Sequence, residues 1–461
     1  MKFLEDALSR FASKTPISVM TRATIEHVLA PAQLDDIFQR NAVWQYQGEL
    51  LFSTVADIMG QVVLQIHPSV NAAYLERKEE LGLTVKSVYD KLKGIEPPVI
   101  RALLRETADK MKALIDHAGG PDEPLIKGYR TRIVDGNHLR RTDRRIGELR
   151  PLNVAPLPGK SLVVYDPAYR LAVDVLPCED GHAQERSLLP ELLNTVEAGD
   201  LWIADRNFCT IAFLFGIAER RGKFIIRHHG NLPFEPQGRR RRTGRSETGT
   251  VYEQAVEITD DQDNTRTFRR ITIELDSPTR DNETAIHLLA NLPKRISGVR
   301  VSELYRDRWT IETAFQEVAE NLAGEIKTLG YPKAALFAFS MAFVSYNVLS
   351  VVRSAVKAVH GTEEAEQLSS YYMCHEIATV SAGMSVVLPG AFWRERYGSM
   401  SPAQLAAELK WLAGQIPLRK FKKNAWKQKK KPPLNHNKKN RGHQSTFRIL
   451  KSAGRDPAYS R

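Results

Sequence analysis

The sequence predicts an α/β protein: a mixed sheet flanked by helices, with a helical region before it, a β-rich segment inserted in it and a basic tail after it. Three observations carry this expectation. Residues 1–125 are patterned at helical spacing with few strand signals. From about residue 130, short β-branched runs bounded by turn residues take over, and two helical stretches separate the later runs. The composition is that of a globular chain, 42% hydrophobic and 26% charged over 461 residues, which excludes wholesale disorder. At about 100–200 residues per domain, that length gives room for roughly two to four units.

In chain order, TIEHVLAPAQLDDIFQRNA, ELLFSTVADIMGQVVLQI, SVYDKLKGI and VIRALLRETADKMKALIDHA make 1–125 a helical domain. TRIVDG, KSLVVYD and LAVDVL read as three consecutive strands. HAQERSLLPELLNTVEA reads as a helix, LWIAD as a fourth strand, TIAFLFGIAERRG as a helix and KFIIRHH as a fifth strand, which completes the first part of the core at 126–229. VYEQAVEIT, TFRRITIEL and TAIHLLANL make 230–295 a β-rich insertion. A single long helix is predicted from Ser297–Ser302 past Glu320, opening the second part of the core at 296–358, with a helical region at 359–418 behind it. The uncharged run AALFAFSMAFVSYNVLSVV is long enough to span a bilayer. Ser340, Ser345, Tyr346, Asn347 and Ser350 interrupt it and it stands alone, so a helix buried in a large core is expected and no membrane partner. The first thirty residues show no secretory signal, and Cys178, Cys209 and Cys374 are scattered, which fits a reducing cytoplasm and neither a disulfide scaffold nor a thiolate zinc site.

Charge is unevenly distributed. The net +12 conceals a tail, residues 419–461, with 15 Lys/Arg against the single acid Asp456, so the rest of the chain is close to neutral at −2. Such a segment reads as an extended, disordered cationic arm whose counterpart is a polyphosphate backbone, with Trp426, His436 and His443 interleaved; the alternative is a solubilising tail. A second cluster, Arg239, Arg240, Arg241 and Arg242 with Arg245, lies in NLPFEPQGRRRRTGRSETGT and is expected as an exposed loop. Four adjacent arginines repel one another unless an anion neutralises them, so these residues, together with Arg206, are the expected DNA contacts beside the reading as a solvated loop.

Carboxylates that end apolar strands are candidates for chemistry, because core strands exclude isolated charge. Asp135 closes RIVD before Gly136, and Asp205 closes LWIAD before Arg206 and Asn207. Each alone also fits a turn or helix cap, as Asp166 before Pro167 does. Glu312 is the third, in SELYRDRWTIETAFQEVAENL, where Tyr305, Arg308 and Glu312 fall on one helical face; an ordinary Arg308–Glu312 ion pair is the plainer reading. Three carboxylates on different elements without a His/Cys cluster suit Mg²⁺ or Mn²⁺, and two such ions can serve an in-line phosphodiester displacement. No Walker loop, G-x-G-x-x-G after a strand, H-E-x-x-H or G-x-S-x-G is present.

IVDGNHL, WIADRNF and YRDRWTIETAF, with Asp205 70 residues after Asp135 and Glu312 107 after Asp205, resemble the DDE transposases of bacterial insertion sequences. The nearest branch is family four, whose signature is Tyr-x-x-Arg-x-x-x-Glu-x-x-x-x-x-x-Lys. Tyr305, Arg308 and Glu312 occupy its first three positions; the fourth falls on Ala319, with Lys327 as the substitute at hand. The resemblance covers roughly residues 18–355 and implies a ribonuclease H-like core with Asp135, Asp205 and Glu312 as the metal-binding catalytic triad. It further implies Tyr305 and Arg308 on transposon-end DNA, an N-terminal region that recognises terminal inverted repeats, and a homodimer acting on double-stranded DNA in the bacterial cytoplasm at the nucleoid. The implied activity is cleavage at the element's ends followed by 3′-hydroxyl transfer into target DNA. A stand-alone metal-dependent nuclease or resolvase of the same fold, and a non-catalytic DNA-binding protein derived from a transposase, are the alternatives.

Overall fold

Proline and hydroxyl residues set many of the helix starts in this chain. Pro16, Pro31, Pro97, Pro332 and Pro402 sit in first turns, where a missing N–H costs nothing. Ser69, Thr84, Thr210, Ser297 and Ser401 accept first-turn backbone N–H groups, Ser401 in a capping box with Gln404. The computed structural model describes residues 2–139, 159–181, 183–279, 281–326 and 328–423.

The N-terminal helices are α1 (Lys2–Lys14), α2 (Pro16–Val28), α3 (Pro31–Asn41), α4 (Phe52–Val63), α5 (Val70–Glu76), α6 (Lys78–Leu81), α7 (Val85–Gly94) and α8 (Pro97–Ala118). The sheet follows: β1 (Arg130–His138), β2 (Lys160–Asp166), β3 (Leu171–Cys178), β4 (Asp200–Ala204) and β5 (Lys223–Arg227), with α9 (Leu189–Leu193) and α10 (Ile211–Glu219) between the later strands. It then continues through β6 (Glu235–Ser246), β7 (Gly249–Thr259), β8 (Thr265–Leu275) and β9 (Ala285–Ala290). All nine strands form one mixed sheet in the order β3-β2-β1-β4-β5-β9-β8-β7-β6, parallel only at β1–β4 and β4–β5. This is the expected α/β class, a mixed sheet flanked by helices and consistent with a ribonuclease H-like fold.

Alternation along the strands assigns each residue to one of two cores. Ile133, Val163, Leu201, Ile203 and Ile225 face the larger core, and Val134, Leu162, Trp202, Ala204 and Ile226 the smaller one, which α9 and α10 cover. The larger core runs without a break from Ala7 to Phe421, so the N-terminal helices and the C-terminal α14 (Thr362–Glu366), α15 (Ser370–Val387), α16 (Gly390–Tyr397) and α17 (Pro402–Ala413) share it with the sheet. At its centre lies α13 (Pro332–His360), long and apolar enough to cross a membrane but with its apolar window wholly buried. The polar residues inside it have partners: Asn347 donates to Ala172 O (2.8 Å) and accepts from Ala172 N (2.9 Å), completing the backbone bonding of edge strand β3.

Three expectations need correction. The single helix past Ser297 is two, α11 (Gly298–Arg306) and α12 (Trp309–Asn321), because Arg308 N–H bonds Tyr305 O (3.1 Å), an i to i−3 bond that tightens and ends the first helix. The arginine-rich segment is edge strand β6 rather than a loop. The glycines that read as loop punctuation, Gly238 (φ 72°) and Gly244 (φ 149°), lie where the β6–β7 register shifts, as bulges do. The helix expected around HAQERSLLPELLNTVEA shrinks to a 3₁₀ turn, Glu185–Leu188, leading into short α9, since Pro190 admits an α-helix only from its own first turn.

Candidate active site

Parallel pairing of β1 with β4 sets Val134 opposite Ala204, so the next residues lie side by side: Asp205 just past β4, and Asp135 inside β1 rather than at its end as the sequence suggests, because β1 stays paired with β2 as far as His138. Their parity matters as much as their height. Asp135 follows Ile133 by two residues and Asp205 follows Ile203 by two, which aims both carboxylates at the face of the larger core. On that face α12 packs against β1 and buries Ile311, Ala314 and Val318, leaving Glu312 in its first turn. Three segments far apart in sequence thus meet where only the sheet order brings them together.

Arg308, at the break between α11 and α12 and 8% exposed, is the centre of this arrangement. Its Nη1 donates to Asp135 Oδ2 (3.2 Å) and its Nη2 to Glu312 Oε1 (2.6 Å). Tyr305, also 8% exposed, donates its hydroxyl to Asp205 Oδ1 (3.4 Å), and the guanidinium lies between the Tyr305 and Trp309 rings, 6.0 and 5.7 Å from their centroids. Burial pushes the Asp135 carboxyl up to about 6; the Arg308 charge and the Gly136 N–H oppose this, while Asp205 and Glu312 add to it. Burial alone would lower the Arg308 guanidinium, yet the surrounding anionic groups carry it above its ordinary value. Burial likewise raises the Tyr305 phenol and keeps it a hydrogen-bond donor.

Residues 127–348 match the family model of the transposase DDE domain. The matched stretch begins just before β1 and ends within α13, so it contains the whole sheet and all three carboxylates, and it supports a DDE transposase acting on DNA. No curated protein matches the chain.

Transposases of this kind generally use divalent metal ions, and the donor set suits them. All three side chains offer hard oxygen donors, and the burial that makes the Asp135 charge costly is offset by a cation in the same place. As the side chains stand, that cation is Arg308; among the described residues no three His, Cys, Asp or Glu side chains converge on one ion. Ala319 lies on α12, while Lys327 and the tail from Asn424 onward lie outside the described residues.

The expected DNA contacts fall into two groups. Arg206, directly after Asp205, pairs with Glu283 (3.3 Å), which also bonds Arg227. Arg239–Arg242 line the exposed edge of the sheet: Arg240 bonds Glu274 (2.6 Å) and covers the Tyr252 ring, while Arg239, Arg241 and Arg242 have no ion pair among the described residues. Sequence reasoning missed Glu185, whose carboxylate packs against Gly136 so closely that a Cβ there would collide with it, and which lies 3.7 Å from His138. The Gly after Asp135 is the signal that something approaches the backbone at that point.

Proposed function

We propose that this protein is a cut-and-paste DNA transposase in which Asp135, Asp205 and Glu312 hold divalent ions, cleave the strand at the element's ends and direct the freed 3′-hydroxyl into target DNA. The supporting observation is the meeting of three carboxylates from β1, the residue after β4 and α12, two of them on the Arg308 guanidinium and the third, Asp205, on the Tyr305 hydroxyl beside it. Bound by these carboxylates, divalent ions such as Mg²⁺ or Mn²⁺ would supply activation of the attacking oxygen and charge stabilisation of the leaving oxygen. The chain's own groups do the rest. Asp135 and Glu312 carry the charge that attracts the cations, and Arg308 neutralises that charge in their absence. Displaced toward the substrate, the Arg308 guanidinium is then free to hold a phosphate, and Tyr305 fixes the Asp205 carboxylate through its hydroxyl. A homodimer binding two inverted-repeat ends, with the N-terminal helices reading sequence and the exposed arginines of β6 on the phosphate backbone, completes the reading.

The test uses purified full-length protein and a duplex carrying the DNA that flanks its own gene, with Mg²⁺ or EDTA, beside Asp205→Asn. Metal-dependent nicking at the element end and joining to a second duplex, both lost in the variant, is the expected outcome. Nicking without joining assigns a nuclease instead, and binding without cleavage, equal in both proteins, removes the triad.

A further inference from the structure

The connection between α3 and α4 exposes the two most solvent-accessible large aromatics in the described residues, Trp44 at 88% and Tyr46 at 85%. An exposed aromatic on a pliant loop calls for no explanation, but this loop is held at both ends of its backbone. The Glu96 carboxylate, 4% exposed, accepts the backbone N–H of Val43 (3.0 Å), Trp44 (2.8 Å) and Gln45 (2.8 Å). Lys91, 8% exposed, donates its ammonium to Tyr46 O (2.9 Å) and Gln47 O (2.8 Å) while lying 4.2 Å from the Phe38 ring centroid. Gln45 bonds Lys91 O (3.0 Å) over Gly94, where any Cβ would collide with it. Two buried charges therefore spend their hydrogen bonds on fixing a backbone whose side chains point to water. Such preorganisation removes the ordering cost of a contact before the contact is made.

The loop also lies at the end of the sheet that carries the carboxylates. His138, three residues after Asp135, pairs with Lys160, and Lys160 with Cys178 at the end of β3. The next residue, Glu179, meets Lys333 (3.9 Å), and the Lys333 charge acts on Glu96 beneath the loop. Lys93, on α7 beside the same loop, stands 4.6 Å from the centroid of Tyr331, itself 42% exposed. The Trp44 and Tyr46 rings thus stand near the cations of Lys93 and Lys333. Aromatic faces beside lysine cations match a ligand that offers apolar sugar or base surface next to phosphates.

We propose that Trp44 and Tyr46 are a DNA-contact device, with the rings against bases or sugars and Lys93 and Lys333 on the phosphates of the same duplex; this rests on the reading of the protein as a DNA transposase. The experiment measures fluorescence anisotropy of a labelled duplex carrying the DNA that flanks the gene, across a salt series, for full-length wild type, Trp44→Ala, Tyr46→Ala, Trp44→Phe and Trp411→Ala. Ring loss should weaken binding about tenfold at every salt concentration without changing the slope of log K against log salt, because no charge is removed. Trp44→Phe should restore most of the affinity, and Trp411→Ala, which removes a 54%-exposed ring on the distant α17, should bind as wild type. Unchanged melting temperatures establish that all variants are folded.

Alanine variants that bind within about twofold of wild type overturn the assignment. So does a loss of self-association in sedimentation with DNA affinity intact, which would give the loop to a second copy of the chain. The two failures remain separable: if Asp205→Asn abolishes cleavage while the ring variants bind normally, only the loop assignment falls, whereas a wild type that binds no duplex removes the transposase reading as well.

Discussion

At the scale of single residues, Arg308 is the charge that holds the candidate site together. It neutralises Asp135 and Glu312 in a partly buried site, so Arg308→Ala leaves a buried carboxylate without its cation and should cost about 2–3 kcal/mol, below the usual figure for a fully buried pair because Glu312 is partly exposed. The same substitution should increase the rise in melting temperature produced by Mg²⁺, since an ion would replace the lost charge. Calorimetry with and without the ion decides it: no metal-dependent rise in either protein would show that these carboxylates do not hold a divalent ion. In the sequence, Arg308 reads as a member of a helical face with Tyr305 and Glu312. What the sequence conceals is that the helix breaks there, and that the guanidinium turns onto two of the carboxylates while Tyr305 turns onto the third.

At the scale of elements, α13 shows how far patterning can be read. Its uncharged run between Lys333 and Arg353 is plain in the sequence, and the interspersed Ser, Tyr and Asn residues distinguish it from a bilayer span. Their partners are not legible, because they belong to the opposite side of the core: Asn347 serves Ala172, Ser350 bonds Arg170 O (2.7 Å), and Tyr346 meets Tyr165 (3.1 Å). Asn347→Leu fills the same volume but strands the N–H and C=O of Ala172 in a dry core, so urea unfolding should report a loss of about 2–4 kcal/mol. A loss below about 0.5 kcal/mol would mean that β3 does not depend on this helix for its edge bonding. The β6 strand is the opposite case. Its arginines and glycines obscure the strand because β-propensity is weak at an edge, where cross-strand partners such as Glu253 and Glu257 on β7 decide the conformation.

At the scale of the whole molecule, positive charge is concentrated in residues 419–461, while the remainder of the chain is near neutral. Truncation after Lys423 removes most of the tail's positive charge and keeps every described core residue, so duplex binding should weaken and its salt dependence become shallower while the melting temperature stays the same. An unchanged salt slope would assign the electrostatics to β6 and the helical surface instead. The sequence by itself determines the α/β class, the alternation of strands and helices through β5, the helical N-terminal region, the buried character of α13 and the position of Asp205 just past β4. These follow from periodicity, turn chemistry and the cost of burying charge, all of which act over a few residues. Only the tertiary structure decides that β9 closes against β5 to make one nine-stranded sheet, that Arg308 joins Glu312 to Asp135 while Tyr305 takes Asp205, and that Glu96 and Lys91 hold Trp44 and Tyr46 out in solvent. Each of these joins residues tens to more than a hundred positions apart, and such contacts are selected by the packing of the whole core rather than by any local pattern.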